Sequence, residues 1–228
     1  MGSGGGGAAN CVVFSTPLDN CPGGFTTSGI NNDWQCGVPS GASGPPGDHT
    51  SGNGALWGTN IAGKTNTCED SELVSPSVDL SAQAGKTLML SFWHWFDFRG
   101  CTPNGILCPN LACQLDPTSY SGGVAEVLMN GNWVQIDPLG GYGNGGQTIS
   151  CSHMDAACTS CSLEGKTGFT ANGMEGVWQQ AIFDISAYAG AMSKMRFRYA
   201  SHDAYSCYPK TGGWYIDDIE VYTTEPCP

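Results

Sequence analysis

The run TLMLSFWHWFDF at residues 87–98 constrains the fold more than any other stretch of this sequence. Successive side chains of a strand point to opposite faces, and both faces of this run are largely apolar. One face has Leu88, Leu90, Phe92, His94 and Phe96, and the other has Met89, Ser91, Trp93, Trp95 and Asp97. A strand that is buried on both faces belongs in the middle of a covered sheet. The run therefore predicts a central strand.

Seven further runs of β-branched and aromatic residues, bounded by Gly, Pro, Asn or Asp, predict additional strands. They lie at 11–15, 55–59, 71–80, 123–136, 176–186, 194–202 and 213–223. No long segment has the 3.6-residue apolar period of a helix. Only 12% of the 228 residues are charged, and 34 Gly and 13 Pro indicate turn-rich loops between short strands. These features predict one large all-β domain.

The predicted domain covers 11–228 and contains two Cys-rich insertions, at 99–122 and 137–175. Loops of this length are uncommon in compact domains unless they are functional or cross-linked. The insertions are therefore candidates for a recognition surface, and decoration without a ligand is the equal alternative. Residues 1–10, MGSGGGGAAN, lack the features of a signal peptide and are interpreted as a flexible linker or an artificial start.

The charge balance and the cysteines narrow the class of protein. Eight basic and twenty acidic residues give a net charge of −12, which disfavours nucleic acid and anionic membrane surfaces. The longest apolar runs are too short to cross a membrane. Twelve cysteines beside only four histidines favour disulfides in a secreted or cell-surface protein. In CSHMDAACTSC (151–161), a zinc site with Cys151, His153, Cys158 and Cys161 is the less favoured alternative.

Motifs for catalysis are weak. The sequence contains no HExxH, GxSxG, P-loop or GxGxxG followed by a helix. Acidic pairs occur at Glu69/Asp70 and Asp217/Asp218, but glycosidases need two carboxylates that face each other across a cleft. The sequence therefore predicts a protein that is not an enzyme, with a secreted hydrolase as the weaker alternative.

The segment GGWYIDDIEVY (212–222) contains a carboxylate that alternation places among apolar residues. Asp217 is predicted to share a face with Tyr215, Ile219 and Val221. A buried carboxylate needs hydrogen bonds, a charge partner or a cation. The loop at 37–60, GVPSGASGPPGDHTSGNGALWGTN, contributes Asp48 and His49, which could bind a cation or hydrogen-bond the loop backbone.

Seven segments resemble, in order, the MAM domain pattern. They are CVVFSTPLDNC (11–21), DW (33–34), GPPGDHTSGNGALWGTN (44–60), ELVSPSVDL (72–80), LSFWHWF (90–96), GVWQQAIFDIS (176–186) and GWYIDDIEVY (213–222), the last followed by Cys227. Bacterial jelly-roll domains appended to immune-inhibitor-A-like secreted peptidases and surface adhesins look similar. The resemblance implies an antiparallel jelly-roll-like β-sandwich that is extracellular, non-catalytic and adhesive, or that accompanies a secreted enzyme.

The resemblance also implies a first disulfide between Cys11 and Cys21 and a structural calcium ion with Asp33, Asp48 and Asp217 as ligands. Calcium binds six to eight oxygen atoms, so loop carbonyls would have to converge on the same point. In the alternative, backbone N–H groups from the N-terminal segment and the 44–54 loop satisfy Asp217 without metal.

The predicted function is a non-catalytic extracellular binding or adhesion module that recognises a cell-surface protein or a glycan. As a carbohydrate-binding module, it would stack sugar rings on loop aromatics, for which Tyr120, Trp133, Tyr142 and Phe169 are the candidates. Packing beneath the loops is their alternative role. The sequence leaves open the oligomeric state and whether the two insertions lie at opposite ends, as in an up-and-down sandwich, or meet, as in a jelly roll.

Overall fold

The computed structural model describes residues 10–19, 22–50, 54–98, 119–143, 147–150, 158, 161–170, 176–201 and 212–225. Within these residues the chain forms strands β1 (Cys11–Thr16), β2 (Thr26–Ile30), β3 (Trp34–Gly37), β4 (Leu56–Thr59), β5 (Glu69–Val74), β6 (Val78–Asp79), β7 (Leu88–Asp97), β8 (Ser121–Met129), β9 (Asn132–Ile136), β10 (Gln179–Asp184), β11 (Met192–Ser193), β12 (Met195–Ser201) and β13 (Gly213–Thr223). Short 3-10 turns occur at Ser81–Gln83 and Ser186–Tyr188. The described residues include no helix that is long and apolar enough to cross a membrane.

Two antiparallel sheets form the sandwich. The six-stranded sheet has the order β10-β7-β13-β4-β3, and β1 pairs with β13. The five-stranded sheet has the order β2-β5-β12-β8-β9, and the two-residue strands β6 and β11 pair separately. The prediction of an antiparallel jelly-roll-like β-sandwich is confirmed.

The core between the sheets is built largely from aromatic rings. Phe92 on β7 lies with its ring centroid 5.0 Å from that of Phe197 on β12, so the two sheets pack face to face. His94 is also in this core, where it accepts a hydrogen bond from Trp214 Nε1 at 3.2 Å, and burial lowers its pKa to about 3. Strand β7 lies between β10 and β13, which confirms its predicted central position.

Several predicted strands differ in detail from those observed. The predicted strand at 71–80 is divided into β5 and β6 around Pro76. The predicted strand at 123–136 is the hairpin β8–β9, which turns at Asn130 and Gly131 with φ of 51° and 80°. Strands β2 and β3 were not predicted, because their segments, TTSGI and WQCG, are too short to show an apolar alternation and become strands by pairing with β5 and β4.

A bulge in β13 changes the predicted orientation of Asp217. The pairing with β7 shifts between Asp217 and Glu220, and Asp218 has a φ of 47°. The extra residue keeps Ile219 and Val221 in the core with Trp214 and Ile216, which leaves Asp217 on the opposite face. The prediction that Asp217 shares a face with Ile219 and Val221 is therefore wrong.

The two insertions meet at one end of the sandwich. Ser119, near the end of the first insertion, forms a parallel bridge with Ile149 of the second. The Ser150 N–H also donates to the Ser119 carbonyl at 2.9 Å. Strands β7 and β8, which flank the first insertion, belong to different sheets, as in a jelly roll. Of the two arrangements considered from the sequence, the jelly-roll crossing is observed.

A disulfide ties the second insertion to the sandwich. Cys158 is bonded to Cys68, 90 residues earlier, next to the start of β5. Cys161, Cys11 and Cys36 are also disulfide-bonded. The disulfide interpretation of the CxxC pair is therefore confirmed for both of its cysteines. Four further residues from the disulfide and zinc predictions lie outside the described residues. They are Cys21, Cys151, His153 and Cys227. The Cys11–Cys21 pairing stays a prediction.

Candidate functional site

The outer face of the five-stranded sheet carries a cluster of charges that we call the charged row. Its members are Asp70, Glu72, Glu126, Arg196 and Arg198. Strand β12 directs Phe197 and Tyr199 into the core, so alternation sends Arg196 and Arg198 to the outer face. Glu126 on β8 lies directly opposite Arg196 in the pairing register, and Glu72 on β5 lies opposite Arg198. Residues from three strands therefore form one continuous surface.

Ion pairs connect every member of the charged row. Arg196 Nη1 lies 2.8 Å from Glu72 Oε2, and Arg196 Nε donates to Glu126 Oε2 at 2.6 Å. Arg198 lies 3.6 Å from Glu126 Oε1 and 3.8 Å from Asp70 Oδ1. The Glu126 side chain is only 4% exposed between the two guanidinium groups. Such charge-assisted contacts hold both arginines in one orientation.

Trp133 stands at one end of the charged row. It is on β9 opposite Leu128 and is partly exposed. The guanidinium carbon of Arg196 lies 4.4 Å from the centre of its ring, within cation–π distance. An aromatic ring and a series of fixed hydrogen-bonding groups therefore lie side by side on the same face.

The segment 161–170 of the second insertion borders the charged row. The Ser162 N–H donates to Asp70 Oδ2 at 2.7 Å, and the Ser162 hydroxyl donates to Asp70 Oδ1. At the other side of the sheet, Lys166 Nζ donates to Gln135 Oε1 at 3.3 Å, and Gln135 Nε2 donates to the Thr167 carbonyl at 2.7 Å. The segment therefore reaches from β5 to β9.

A small apolar cluster fixes this segment on the sheet. Its members are Val124, Ile149, Leu163 and Ala200. Gly122 on β8 makes close packing possible, because a Cβ at this position would lie 2.7 Å from Ile149 Cδ1. The insertion thus lies directly on the outer face and forms one side of the charged row.

A second site is on the outer face of the six-stranded sheet, beneath the loop between β3 and β4. A Cβ added at Gly44 would lie 2.5 Å from the Tyr215 hydroxyl, so the loop backbone crosses directly over this ring. His49 stacks on Trp93 with 3.7 Å between ring centroids and 12° between planes, and it meets the edge of Trp178 at 5.9 Å. His49 Nδ1 lies 2.7 Å from Asp218 Oδ2. We call these contacts the His49 loop site.

Asp217 is fully buried beside this loop. Its Oδ2 accepts the His49 N–H at 2.9 Å, and its Oδ1 accepts the Asp218 N–H at 3.0 Å. Burial raises the pKa of Asp217 to about 7, and the nearby carboxylates of Asp218 and Asp48 raise it further, whereas the two N–H bonds lower it. One backbone donor from the 44–54 loop, the His49 N–H, therefore contacts Asp217, and the second donor is the N–H of the next residue on β13.

The three predicted calcium ligands lie in two clusters. Asp48 is near Asp217 and accepts the Gly54 N–H at 3.2 Å. Asp33 instead accepts hydrogen bonds from the backbone and side chain of Asn66, both at 2.7 Å, and lies beside Glu69. In the part of the chain that the structure describes, no three His, Cys, Asp or Glu residues are arranged to hold a metal ion. Calcium binding stays a prediction.

Glu69 is a third buried carboxylate. Its Oε1 accepts hydrogen bonds from the Ser71 hydroxyl at 2.5 Å and the Asp33 N–H at 3.1 Å. Its buried Oε2 has no hydrogen-bond partner among the described residues. Burial raises the pKa of Glu69 to about 8. Strand alternation turns Glu69 inward while Asp70 joins the charged row, so these adjacent residues do not form a facing pair.

Two of the four predicted sugar-stacking aromatics are core residues. Phe169 is 5% exposed and contacts His94 with 4.4 Å between ring centroids, and Tyr142 is 9% exposed and packs on Phe169 at 4.9 Å. Their burial leaves no ring face for a ligand, so the alternative packing role is the correct one. Trp133 and Tyr120 are partly exposed, and Trp133 is the one that adjoins the charged row.

Sequence reasoning missed the arginines and glutamates of the charged row. The available signal was the alternation in MRFRY (195–199), where Arg occupies every second position of a strand with aromatic residues between. The partners of these arginines are on strands distant in sequence, so their contacts required the sheet register.

Comparisons with known proteins give one relative and several structural likenesses. No family model matches the chain. The chain is 26% identical over 209 residues to Bacillopeptidase F of Bacillus subtilis (strain 168), and the alignment covers 90% of this chain and 10% of that protein. The chain therefore spans about a tenth of its relative.

Similar solved structures include TmCBM61 in complex with β-1,4-galactotriose, with 12% identity, a TM-score of 0.44 and 89% of each chain covered. The K2 cleaved adhesin domain of Lys-gingipain has 15% identity and a TM-score of 0.42, with 91% of this chain and 96% of that chain covered. The mannan-recognising carbohydrate-binding module TmCBM27 has 11% identity and a TM-score of 0.42, with coverage of 95% and 99%.

Proposed function

We propose that this chain is a non-catalytic extracellular binding module whose ligand is a glycan. The observation that carries the proposal is the charged row beside Trp133. A sugar presents hydroxyl groups, which both donate and accept hydrogen bonds, next to apolar C–H faces. The row offers guanidinium donors and carboxylate acceptors in fixed positions, and Trp133 offers an apolar ring.

The arrangement of the carboxylates favours binding over hydrolysis. Glycoside hydrolysis uses one carboxyl group as a proton donor and a second as a base or nucleophile. Glu126 is held between Arg196 and Arg198, and Glu72 is bonded to Arg196. These carboxylates therefore serve as paired hydrogen-bond acceptors in the proposal, and the module holds its ligand without cleaving it.

An extracellular location is part of the proposal. Five described cysteines are disulfide-bonded, which is typical of oxidising compartments. The MAM-like sequence segments and the partial match to Bacillopeptidase F support a module attached to a secreted or surface protein. A cell-surface protein is the alternative ligand, for which the same face would serve as the contact surface.

A structural calcium ion is proposed near Asp48 and Asp217. The support is the buried carboxylate of Asp217 beside that of Asp48, to which loop carbonyls would have to add the remaining oxygen ligands. Calcium should raise the melting temperature in a concentration-dependent way, and a chelator should reverse the increase. Metal analysis of the purified protein gives an independent measurement. No bound calcium together with an unchanged melting temperature would reject the cation and leave the N–H bonds as the explanation of Asp217.

A glycan array tests the main proposal. The oxidised protein is applied in calcium and, in parallel, in chelator, with a heat-unfolded sample as the control for adhesion of exposed apolar surface. Selective binding by the folded sample is the expected result. A blank array in both buffers contradicts glycan binding, and affinity capture from cell surfaces would then test the protein alternative.

A further inference from the structure

We infer that the ligand of the charged row is a neutral glycan, bound between Glu72 and Trp133, and that chains bearing carboxylate or sulfate groups are rejected. This inference rests on the proposed function and specifies its ligand class. It follows from how the charges of the row are paired.

The two guanidinium groups of the row are already neutralised. Arg196 contacts Glu72 and Glu126, and Arg198 contacts Glu126 and Asp70, so three carboxylates share two arginines. An anionic sugar would have to displace one of these carboxylates from its arginine. Glu126 would then stay buried without its full pairing, which is costly. The net charge of −12 also repels a polyanion before contact.

A neutral sugar can bind without breaking the ion pairs. A hydroxyl group can accept from a guanidinium N–H and donate to a neighbouring carboxylate at the same time. The Glu72 side chain is 27% exposed, and Arg196 and Arg198 are 14% and 16% exposed, so the edges of these groups are accessible. The row therefore provides alternating acceptors and donors to a ligand that brings no charge.

The guanidinium group of Arg196 brings Trp133 and Glu72 close together. Glu72 is on β5 and Trp133 is on β9, and β12 and β8 lie between these strands. Arg196 contacts the Glu72 carboxylate at 2.8 Å and lies 4.4 Å from the centre of the Trp133 ring, so its side chain bridges the strands that separate them. Segment 161–170 closes one side of this surface. One or two sugar units lying over Arg196 would therefore contact Trp133 and Glu72 at the same time.

Titration calorimetry with defined oligosaccharides tests the inference. The panel contains neutral galactan, mannan, xylan and β-glucan oligomers, together with polygalacturonate and sulfated oligomers of similar length. The variants are Trp133→Ala, Glu72→Gln and Trp178→Ala. Trp178 is a partly exposed tryptophan directly before β10 of the other sheet and serves as the matched control. Melting temperatures show that each variant is folded.

We expect binding to at least one neutral oligomer, with affinity unchanged within about twofold by added salt, because no net charge is exchanged. Trp133→Ala should weaken it about tenfold or more, and Glu72→Gln about threefold, whereas Trp178→Ala should leave it unchanged. Equal or tighter binding of the anionic oligomers, or loss in Trp178→Ala instead of Trp133→Ala, overturns this inference while glycan binding stands. Failure to bind any oligomer or array glycan overturns the proposed function itself and this inference with it.

Discussion

The charged row and the His49 loop site place carboxylates beside tryptophan on the outer faces of the two sheets, but they stabilise these groups differently. In the charged row, arginines that alternate along β12 pair with carboxylates of the neighbouring strands. In the His49 loop site, Asp217 is held by backbone N–H groups, one of which comes from a loop 168 residues away in sequence. The contacts of the charged row depend on the register between strands, and the contacts of Asp217 depend on the position of the loop between β3 and β4. Charge pairing leaves the row partly exposed, whereas the loop covers Asp217 completely.

The largest expected effect is that of Glu126→Ala in the charged row. Removal of this carboxylate leaves two guanidinium groups close together in a largely buried position, which should cost about 3–5 kcal/mol of unfolding free energy. Urea denaturation measures the loss. Glu72→Ala, at the more exposed end of the same row, is the control and should cost about 1 kcal/mol. Equal losses of unfolding free energy in the two variants would mean that burial does not determine how much these ion pairs contribute to stability.

The next effect is on pH dependence and concerns Glu69, which has neither an arginine nor a full set of donors. Its pKa is raised by burial from 4.5 to about 8, so between these values the folded protein holds a proton that the unfolded chain has released. The contribution of Glu69 to the free energy of unfolding is therefore greatest below about pH 4.5. It falls by on the order of a few kcal/mol as the pH rises to 8. Denaturation at several pH values measures this slope. Glu69→Gln should reduce this slope. An unchanged slope would mean that other groups cause the pH dependence.

A smaller loss is expected for Asp217→Ala in the His49 loop site. The substitution leaves the N–H groups of His49 and Asp218 without their acceptor, which should cost about 2–3 kcal/mol. Limited proteolysis between 38 and 50 should accelerate, because the loop loses its attachment to β13. Asp217→Asn keeps an acceptor oxygen, so its stability and its rate of proteolysis should lie between those of the wild type and those of Asp217→Ala. If Glu126→Ala loosened the same loop, the two sites would not be independent.

The smallest effect is expected for His49→Phe. The substituted ring can still stack on Trp93, but the bond to Asp218 is lost, for a cost of about 0.5–1 kcal/mol. His49→Ala removes the stacking as well and should cost more. Thermal unfolding of both variants separates the two contributions, and equal losses would assign the whole effect to the Asp218 bond.

Predictions from strand alternation were accurate where the strand is regular and failed where it is irregular. The central position of β7 and its buried face followed from alternation within one segment, and both are confirmed. The predicted face of Asp217 was wrong because a bulge at the next residue reverses the alternation. The neighbouring residues carry no sequence signal for this bulge. Phe169 was placed among exposed loop aromatics, but its pairing with Gly123 turns its ring into the core.

An all-β, disulfide-bonded domain with few charged residues could be inferred from the sequence alone, because alternation, turn residues and cysteine number are local or compositional properties. Which residues share a surface depends on the folded chain. The charged row joins β5, β8 and β12, the two insertions meet at Ser119 and Ile149, and Asp217 lies under a distant loop. Each contact depends on strand register and on a crossing between sheets. These are set by the packing of the whole core, so they cannot be read from any one segment.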